Sequence, residues 1–209
     1  TNLLYLAKSD PAKAAHYIEA AESELHRVAH ITRQTLGFYR DSGMPHSVQM
    51  DKLVGDVLSL YAKRLEIKSI AVDARLEPQL EVTASGGELR QIVSNLISNA
   101  IDALPSEGRL SICVHSARHP RHATNGVRLI VVDNGTGIPA EVRGKIFEAF
   151  FTTKRDVGTG LGLWVTRSLV EKHGGSLRMR TSTDPLHHGT AFSVFFPDGH
   201  HDRKGERAA

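Results

Sequence analysis

The chain has 209 residues, 40% of them hydrophobic, and its 26 basic and 23 acidic residues give a net charge of +3. This composition is typical of a globular domain with an appendage and excludes a disordered chain. The longest apolar runs are far shorter than the ~20 residues that span a bilayer, and acidic residues interrupt the basic C-terminus, so we expect neither membrane contact nor nucleic-acid binding by this fragment.

The N-terminal part has the pattern of a helical hairpin. Apolar residues at alternating spacings of four and three predict one long helix over residues 11–41, and residues 1–7 look like the end of an antiparallel helix before it. Since the sequence starts with neither an initiator Met nor a signal peptide, we expect it to begin within a longer protein. We predict three parts: a partial antiparallel helical hairpin over 1–43, a second domain over 44–198 and a polar tail over 199–209.

The second domain alternates helices and strands. Hydrophobic periodicity predicts, in chain order, helix 51–65, strands 68–75 and 80–84, helix 86–104, strands 109–116 and 127–133, helix 161–173, and strands 175–181 and 189–196. Because the later strands follow one another as hairpins, this order favours an α/β (α+β) sandwich in which helices cover one face of a mixed sheet.

The predicted helix 86–104 carries two asparagines one turn apart, Asn95 and Asn99. They lie on a polar flank beside an apolar stripe. The helical spacing places Glu88 and Asp102 on the same flank. An asparagine side chain competes with the helix backbone for hydrogen bonds, so a pair at i and i+4 needs an explanation. A solvated surface is the simplest one, but the glycine-rich turns elsewhere in the chain favour a ligand role.

Two glycine-rich turns indicate a nucleotide site. Residues 131–139 (VVDNGTGIP) place a carboxylate, Asp133, at a strand end, where it can accept a hydrogen bond from an exocyclic amine such as that of adenine. Residues 158–163 (GTGLGL) run into a helix, whose free backbone amides suit phosphate oxygens. A phosphate loop is excluded because Leu163, not Lys, follows Gly162, and no strand precedes this turn as a dinucleotide fingerprint requires.

These segments together resemble sensor histidine kinases. Residues 88–103 (ELRQIVSNLISNAIDA) look like their N box, 133–137 (DNGTG) like the G1 box, 147–154 (FEAFFTTK) like the F box and 158–162 (GTGLG) like the G2 box. Gly189 and Thr190 resemble the late Gly-Thr pair that helps to close the adenine pocket. Four motifs in this order over residues 46–197 are highly specific for the ATPase superfamily of gyrases, heat-shock chaperones, histidine kinases and mismatch-repair proteins.

The resemblance implies a role for each motif residue. Asn99 would ligate Mg²⁺, and Asn95 would line the phosphate and metal side. Asp133 would accept from adenine N6, supported by Thr190 through a water. The remaining cofactor-binding residues would shape the turn under the base or donate backbone amides to phosphate, namely Gly135, Gly137, Gly158, Gly160, Leu161 and Gly162.

A mobile lid is expected between the two glycine turns, over residues 139–158. Lys154 in this lid either reaches the γ-phosphate as a catalytic cation or is simply solvated, and both interpretations stay open. We expect Phe147, Phe150 and Phe151 to clamp the lid onto the domain, and Trp164 to lie in the helix core.

One substitution bears on the reaction type. Gyrase-like members carry a Glu one turn before the metal Asn to activate water, but this position is Asn95, which cannot act as a general base. Phosphoryl transfer is therefore favoured over hydrolysis. Asn95 joins Lys154 as a catalytic candidate.

The resemblance also implies a complete enzyme larger than this chain. It would be a homodimer through the hairpin and would move the γ-phosphate of Mg²⁺-ATP to a histidine, then to an aspartate in the receiver domain of a response regulator. No acceptor box of the His-acid-x-x-Asn-Pro type occurs in the chain, so we expect it upstream of Thr1. The fragment would be cytoplasmic, although the intact protein could be membrane-anchored. A non-catalytic ATP-binding regulatory module, or a serine kinase or ATPase of the superfamily, are the alternatives.

The histidines within the chain have simpler interpretations. His26 and His30 are four residues apart on the predicted second helix, but neither precedes an acidic residue, so we expect an ordinary helix flank. We expect loop solvation for the remaining candidates, which are His115, His119, His122, His187 and His188.

Overall fold

The computed structural model describes residues 2–9, 13–19, 21, 44–119, 124–154 and 158–198. Helix α1 spans Asn2–Ser9, and residues 14–19 are also helical. Most of the predicted helix 11–41, with His26 and His30, and the tail 199–209 lie outside the described residues. The helical hairpin and the three-part division of the chain therefore stay predictions.

The second domain contains three further helices and seven strands within the described ranges. In chain order they are β1 (His46–Gln49), α2 (Met50–Ile67), β2 (Ala71–Leu76), β3 (Glu81–Ala84), α3 (Gly86–Ala103), β4 (Arg109–Arg118), β5 (Asn125–Asp133), α4 (Gly162–Lys172), β6 (Ser176–Thr183) and β7 (His188–Pro197). A single turn of 3₁₀ helix spans Ala140–Val142. Every predicted helix and strand of this part is present, with ends shifted by a few residues.

The main sheet is mixed, as predicted. Its five strands lie in the order β2-β4-β5-β7-β6, with β2 parallel to β4 and the other neighbours antiparallel. The predicted strand β3 does not join this sheet but pairs with β1 in a separate two-stranded ribbon. Strand β1 was not predicted, because four residues (HSVQ) directly after Pro45 are too few to establish a period of two.

Helices α2, α3 and α4 cover one face of the main sheet, with α3 in the middle. The predicted apolar stripe of α3 is buried, and Ile97 and Ile101 beside it are buried too. The stripe consists of Leu89, Ile92, Val93, Leu96, Ala100 and Leu104. The expectation for Trp164 was wrong: it is 40% exposed, because α4 buries the neighbouring face that carries Val165, Leu169 and Val170.

Strand alternation brings the predicted adenine contact to the helix side of the sheet. Val127, Leu129, Val131 and Asp133 alternate along β5 and are all buried. Asp133 is the last of them and lies opposite Thr190 of β7 in the strand register. The two predicted residues therefore meet at one end of the core.

His119 was expected in a solvated loop and is instead buried. It follows β4 directly, and its ring stacks at a tilt on Phe195, with 5.1 Å between the ring centroids. Strand β4 runs two residues further than predicted, which carries His119 onto the sheet. His122 lies outside the described residues. Within the described part, no helix is both long and apolar enough to cross a membrane.

Candidate nucleotide-binding site

A cleft of about 1230 Å³ lies between α3, the turn after β5, the lid and the start of α4. Nine of the predicted site residues line it: Asn95, Asn99, Asp133, Gly137, Lys154, Gly158, Gly160, Gly162 and Thr190. Ligand pockets measure roughly 300–1,000 Å³, so this cleft can take a whole nucleoside triphosphate. Gly135 and Leu161 do not line it. Gly135 lies in the turn behind Asp133, and the Leu161 side chain is buried in the core.

Asp133 is a buried carboxylate at one end of the cleft. The backbone N–H of Gly135 donates to its Oδ1 at 2.9 Å, and the backbone of Thr190 donates to the carboxylate as well. Burial raises the pKa of Asp133 above its ordinary value, while these two backbone hydrogen bonds act in the opposite direction. Asp133 thus offers a fixed, poorly hydrated acceptor to a ligand that brings its own donor.

The turn after Asp133 requires a glycine at position 137. Its φ is +73°, and a Cβ there would lie 1.9 Å from the Ser182 carbonyl oxygen. The next amide, of Ile138, donates to Thr181 Oγ1 at 2.8 Å, and Thr181 Oγ1 lies 3.1 Å from Thr190 Oγ1. These contacts hold the turn and Thr190 together on the side of the cleft that contains Asp133.

The second glycine-rich turn packs against the backbone of the lid at Phe150. Gly160 has φ +68°, and a Cβ there would lie 2.3 Å from the carbonyl carbon of Phe150. Gly162 is the first residue of α4, so its amide and the next ones have no partner inside the helix. Helix α4 therefore presents a partial positive charge to the cleft that Gly162 lines.

The two asparagines of α3 have different surroundings. Asn95 Nδ2 donates to the Gly162 carbonyl oxygen at 3.1 Å and to Thr166 Oγ1 at 3.3 Å. Asn99 is half-buried in the cleft wall, and no described residue hydrogen-bonds its side chain. Asn95 thus fixes the start of α4, whereas the Asn99 amide is left for a ligand.

Lys154 forms an ion pair at the cleft wall. Its Nζ lies 2.5 Å from Asp102 Oδ2, and Arg64 Nη2 lies 2.5 Å from the other carboxylate oxygen. Lys154 is therefore paired with a carboxylate in this structure and not simply solvated. Asp102 is three residues after Asn99 on α3, so the pair joins the lid to the helix that carries both asparagines.

Two further expectations were wrong. Glu88 does not join the polar flank at the cleft but is buried, with Lys172 Nζ at 2.6 Å and His173 Nε2 at 2.7 Å, because the end of α4 covers the first turn of α3. Phe150 does not clamp the lid and is 72% exposed, whereas Phe147 packs partly against the core.

Sequence reasoning missed several residues of the cleft wall. Tyr61 of α2 lines the cleft, and its hydroxyl lies 2.7 Å from Ser94 Oγ. Phe192 is two residues after Thr190 on the same strand face, so the period of two could have predicted it. Nothing local to Tyr61 indicates its contact with a helix 33 residues away in sequence.

Comparison with known proteins agrees with this geometry. The family described as "Histidine kinase-, DNA gyrase B-, and HSP90-like ATPase" matches residues 85–200. Sporulation kinase A of Bacillus subtilis (strain 168) is 31% identical over 197 residues, which cover 93% of this chain and 31% of that protein. The structure of the mycobacterial sensor histidine kinase MprB matches with a TM-score of 0.63 and 28% identity, and the match covers 73% of this chain and 97% of the MprB chain.

A second solved structure matches a larger part of the chain. Histidine kinase ThkA, solved in complex with response regulator protein TrrA, covers 90% of this chain and 52% of its own, with a TM-score of 0.66 and 27% identity. The chain belongs to the histidine kinase-, DNA gyrase B- and HSP90-like ATPase family, and its resemblance to sensor histidine kinases is confirmed. It spans about a third of the length of sporulation kinase A.

Burial of Asp133 has a consequence for stability. The pKa of Asp133 is higher in the folded protein than in the unfolded chain. At a pH between these two values, the folded protein therefore still holds a proton that the unfolded chain has lost. The free energy of unfolding should therefore fall across this window, which begins near the ordinary aspartate pKa of about 3.9. Asp133→Asn removes the effect, so the variant should gain stability relative to the wild type between acidic and neutral pH. Urea unfolding at several pH values tests this, and a pH-independent difference would contradict it.

The lid should gain protection when nucleotide binds. The backbone hydrogen bonds described within the lid each close a single turn between residues three apart. Examples are the Lys145 N–H, which donates to the Val142 carbonyl, and the Glu148 N–H, which donates to the Lys145 carbonyl. Such turns open easily, so amides of residues 139–154 should exchange quickly in the free protein and more slowly with an ATP analogue. Hydrogen exchange with mass spectrometry measures this. Full protection without nucleotide would argue against a lid.

Lys154→Ala should separate the two interpretations of this lysine. If Nζ leaves Asp102 to meet the γ-phosphate, ATP binding should weaken about tenfold while ADP binding stays unchanged, since only ATP carries that group. Lys145→Ala, a change at an exposed lid lysine away from the cleft, is the matched control. Equal affinities of the Lys154 variant and the wild type for ATP would leave the lysine as a lid contact only.

Proposed function

We propose that this chain is the ATP-binding catalytic part of a sensor histidine kinase. The observation that carries the proposal is one cleft that is lined by a buried acceptor, Asp133, by Asn99 and by Gly162 at the start of α4. Asp133 would hold the adenine amine, with Thr190 beside it. The amides of the second glycine turn and of α4 would hold the phosphates.

Mg²⁺ fits the phosphate end of the cleft. Magnesium keeps several waters and takes one or two protein oxygens together with phosphate oxygens. Asn99 offers one oxygen that no described residue uses, and no group of three His, Cys, Asp or Glu side chains among the described residues could hold a metal. The cation would therefore arrive with the nucleotide. Once bound, it would neutralise phosphate charge, and Asn99 would fix its position.

The side chains near the phosphates favour transfer over hydrolysis. Asn95 lies one turn before Asn99. Its Nδ2 already donates hydrogen bonds to the Gly162 carbonyl oxygen and to Thr166 Oγ1. An amide cannot take a proton from water, so this site lacks a general base there. The contribution of the chain would be to orient the γ-phosphate and to stabilise its charge, with Lys154 as the nearby cation.

The phosphate would pass to groups outside this chain. We propose that the acceptor is a histidine elsewhere in the whole protein, a homodimer through its helical hairpin, and that an aspartate of a response regulator receives the phosphate next. The complex of the related kinase ThkA with TrrA supports such a partner. None of the twelve histidines lies in an acceptor box. We also propose that the ATP domain works in the cytoplasm.

Radiolabelled ATP tests the transfer. This chain with Mg²⁺ and γ-labelled ATP should give no acid-labile phosphoprotein, whereas the whole protein should be labelled on a histidine and should pass the label to a receiver domain. Labelling of this chain on His26 or His30 would make the predicted second helix the acceptor. Nucleotide binding without any labelling of the whole protein would favour a regulatory module.

A further inference from the structure

The face of the main sheet opposite the helices carries no second layer within the described residues. Side chains that alternate with the buried ones point to this open face, for example Ile130 and Val132 on β5 and Ala191 on β7. Val132 lies in the middle strand and is 38% exposed. Apolar side chains on an uncovered central strand are typical of a surface that meets a partner.

The charge on the open face has one sign over four of its five strands. Strands β4, β5 and β6 contribute four arginines to it, namely Arg109, Arg128, Arg178 and Arg180, and β7 contributes no acidic side chain. The acidic side chain in these strands is Asp133, which lies on the opposite face. None of the four strands contains lysine. Arginine is enriched in protein interfaces and lysine depleted, so this composition differs from that of a merely solvated face.

A small cavity lies among these arginines. It measures about 20 Å³ and is lined by His119, Arg128, Ser176, Arg178, Ser193 and Phe195. Arg128 Nε is buried there without a hydrogen-bond partner among the described residues, and the guanidinium lies over the Phe195 ring, 5.8 Å from its centroid. A buried charged donor without an acceptor is costly, and this cavity provides room for the oxygen of an acidic ligand.

We propose that the open face is a docking surface for an acidic, extended segment of a partner protein, with one carboxylate seated between Arg128 and Arg178. The cavity admits the tip of an Asp or Glu side chain but is far too small for a nucleotide. Arg178 and Arg180 are two residues apart on β6, the spacing at which an extended segment repeats its side chains. Apolar residues of the segment would cover Ile130 and Val132.

Binding of a defined peptide tests the proposal. The probe is a fluorescent ten-residue peptide of alternating Glu and Val with blocked ends, measured by anisotropy at 0.15 M salt; a Gln-Val peptide is the comparison. The wild-type chain should bind the acidic peptide, and Arg128→Gln with Arg178→Gln should weaken binding about tenfold or more, as expected for a buried charge pair. Arg128→Lys, which keeps the charge but loses the planar fork, should fall between the two.

A matched variant separates this surface from overall charge. Lys52→Gln with Lys63→Gln removes the same charge from the exposed side of α2 and should leave peptide binding within about twofold, since screening limits distant charges. ATP binding should be unchanged in all variants, which also shows that they fold. Equal losses in both double variants, tight binding of the Gln-Val peptide, or binding of inorganic phosphate alone would each overturn the proposal.

Discussion

Replacing Asp133 with asparagine is expected to weaken the binding of ATP and of ADP about 10- to 100-fold, the range for a buried hydrogen bond to a charged group. Asparagine keeps the shape of the side chain but has one acceptor oxygen, which the Gly135 amide already engages. Its amino group would then face the amine of adenine, donor against donor. ATP and ADP should lose equally, because they share the base.

Calorimetry with three nucleotides measures this effect. Inosine triphosphate carries a carbonyl where adenine has the amine, so the wild type should bind it as weakly as the variant binds ATP. The variant should unfold no earlier than the wild type at neutral pH, because it lacks the buried charge. If the wild type binds inosine triphosphate as tightly as ATP, Asp133 does not recognise the base.

Asn99→Ala is expected to remove the part of ATP affinity that depends on Mg²⁺. In the wild type, Mg²⁺ should strengthen ATP binding, and the loss of a metal-positioning group typically costs about 10- to 100-fold in metal affinity. Binding of ATP in a chelator should be unchanged, because Asn99 has no other partner among the described residues. Titrations with Mg²⁺ and with chelator separate the two contributions.

Ser98→Ala is the matched control for Asn99→Ala. Ser98 lies next to Asn99 and also lines the cleft, but Arg64 already donates to its hydroxyl at 3.3 Å. Its replacement should leave the effect of Mg²⁺ intact. A loss for Asn99→Ala that is the same with and without Mg²⁺ would assign the residue to the nucleotide and not to the metal.

The fold of the second domain was largely predictable because its elements have clear periods. The stripe from Leu89 to Leu104 on α3 and the alternation along β5 determine which faces are buried. Trp164 shows the limit of this approach. When a helix has apolar residues on several sides, its sequence does not show which side its neighbours will cover. In α4 the covered side is the one that carries Val165.

The cleft was predictable where a backbone requirement leaves a mark in the sequence. Gly137 and Gly160 have positive φ and close neighbours, so a residue with a side chain does not fit at either position. The glycines in the sequence therefore indicate where these turns are. The pairs Lys154–Asp102 and Glu88–His173 were not predictable. Each joins residues more than 50 positions apart, and only the packing of α3 against the lid and α4 brings them together.

A crystal structure of this chain with Mg²⁺ and a non-hydrolysable ATP analogue would show where the base, the phosphates and the cation bind. We expect the exocyclic amine of adenine within hydrogen-bond distance of Asp133, the cation against Asn99 and the phosphates at the start of α4. Nucleotide bound outside the cleft, or with its base at Asn99 and its phosphates at Asp133, would contradict this expectation.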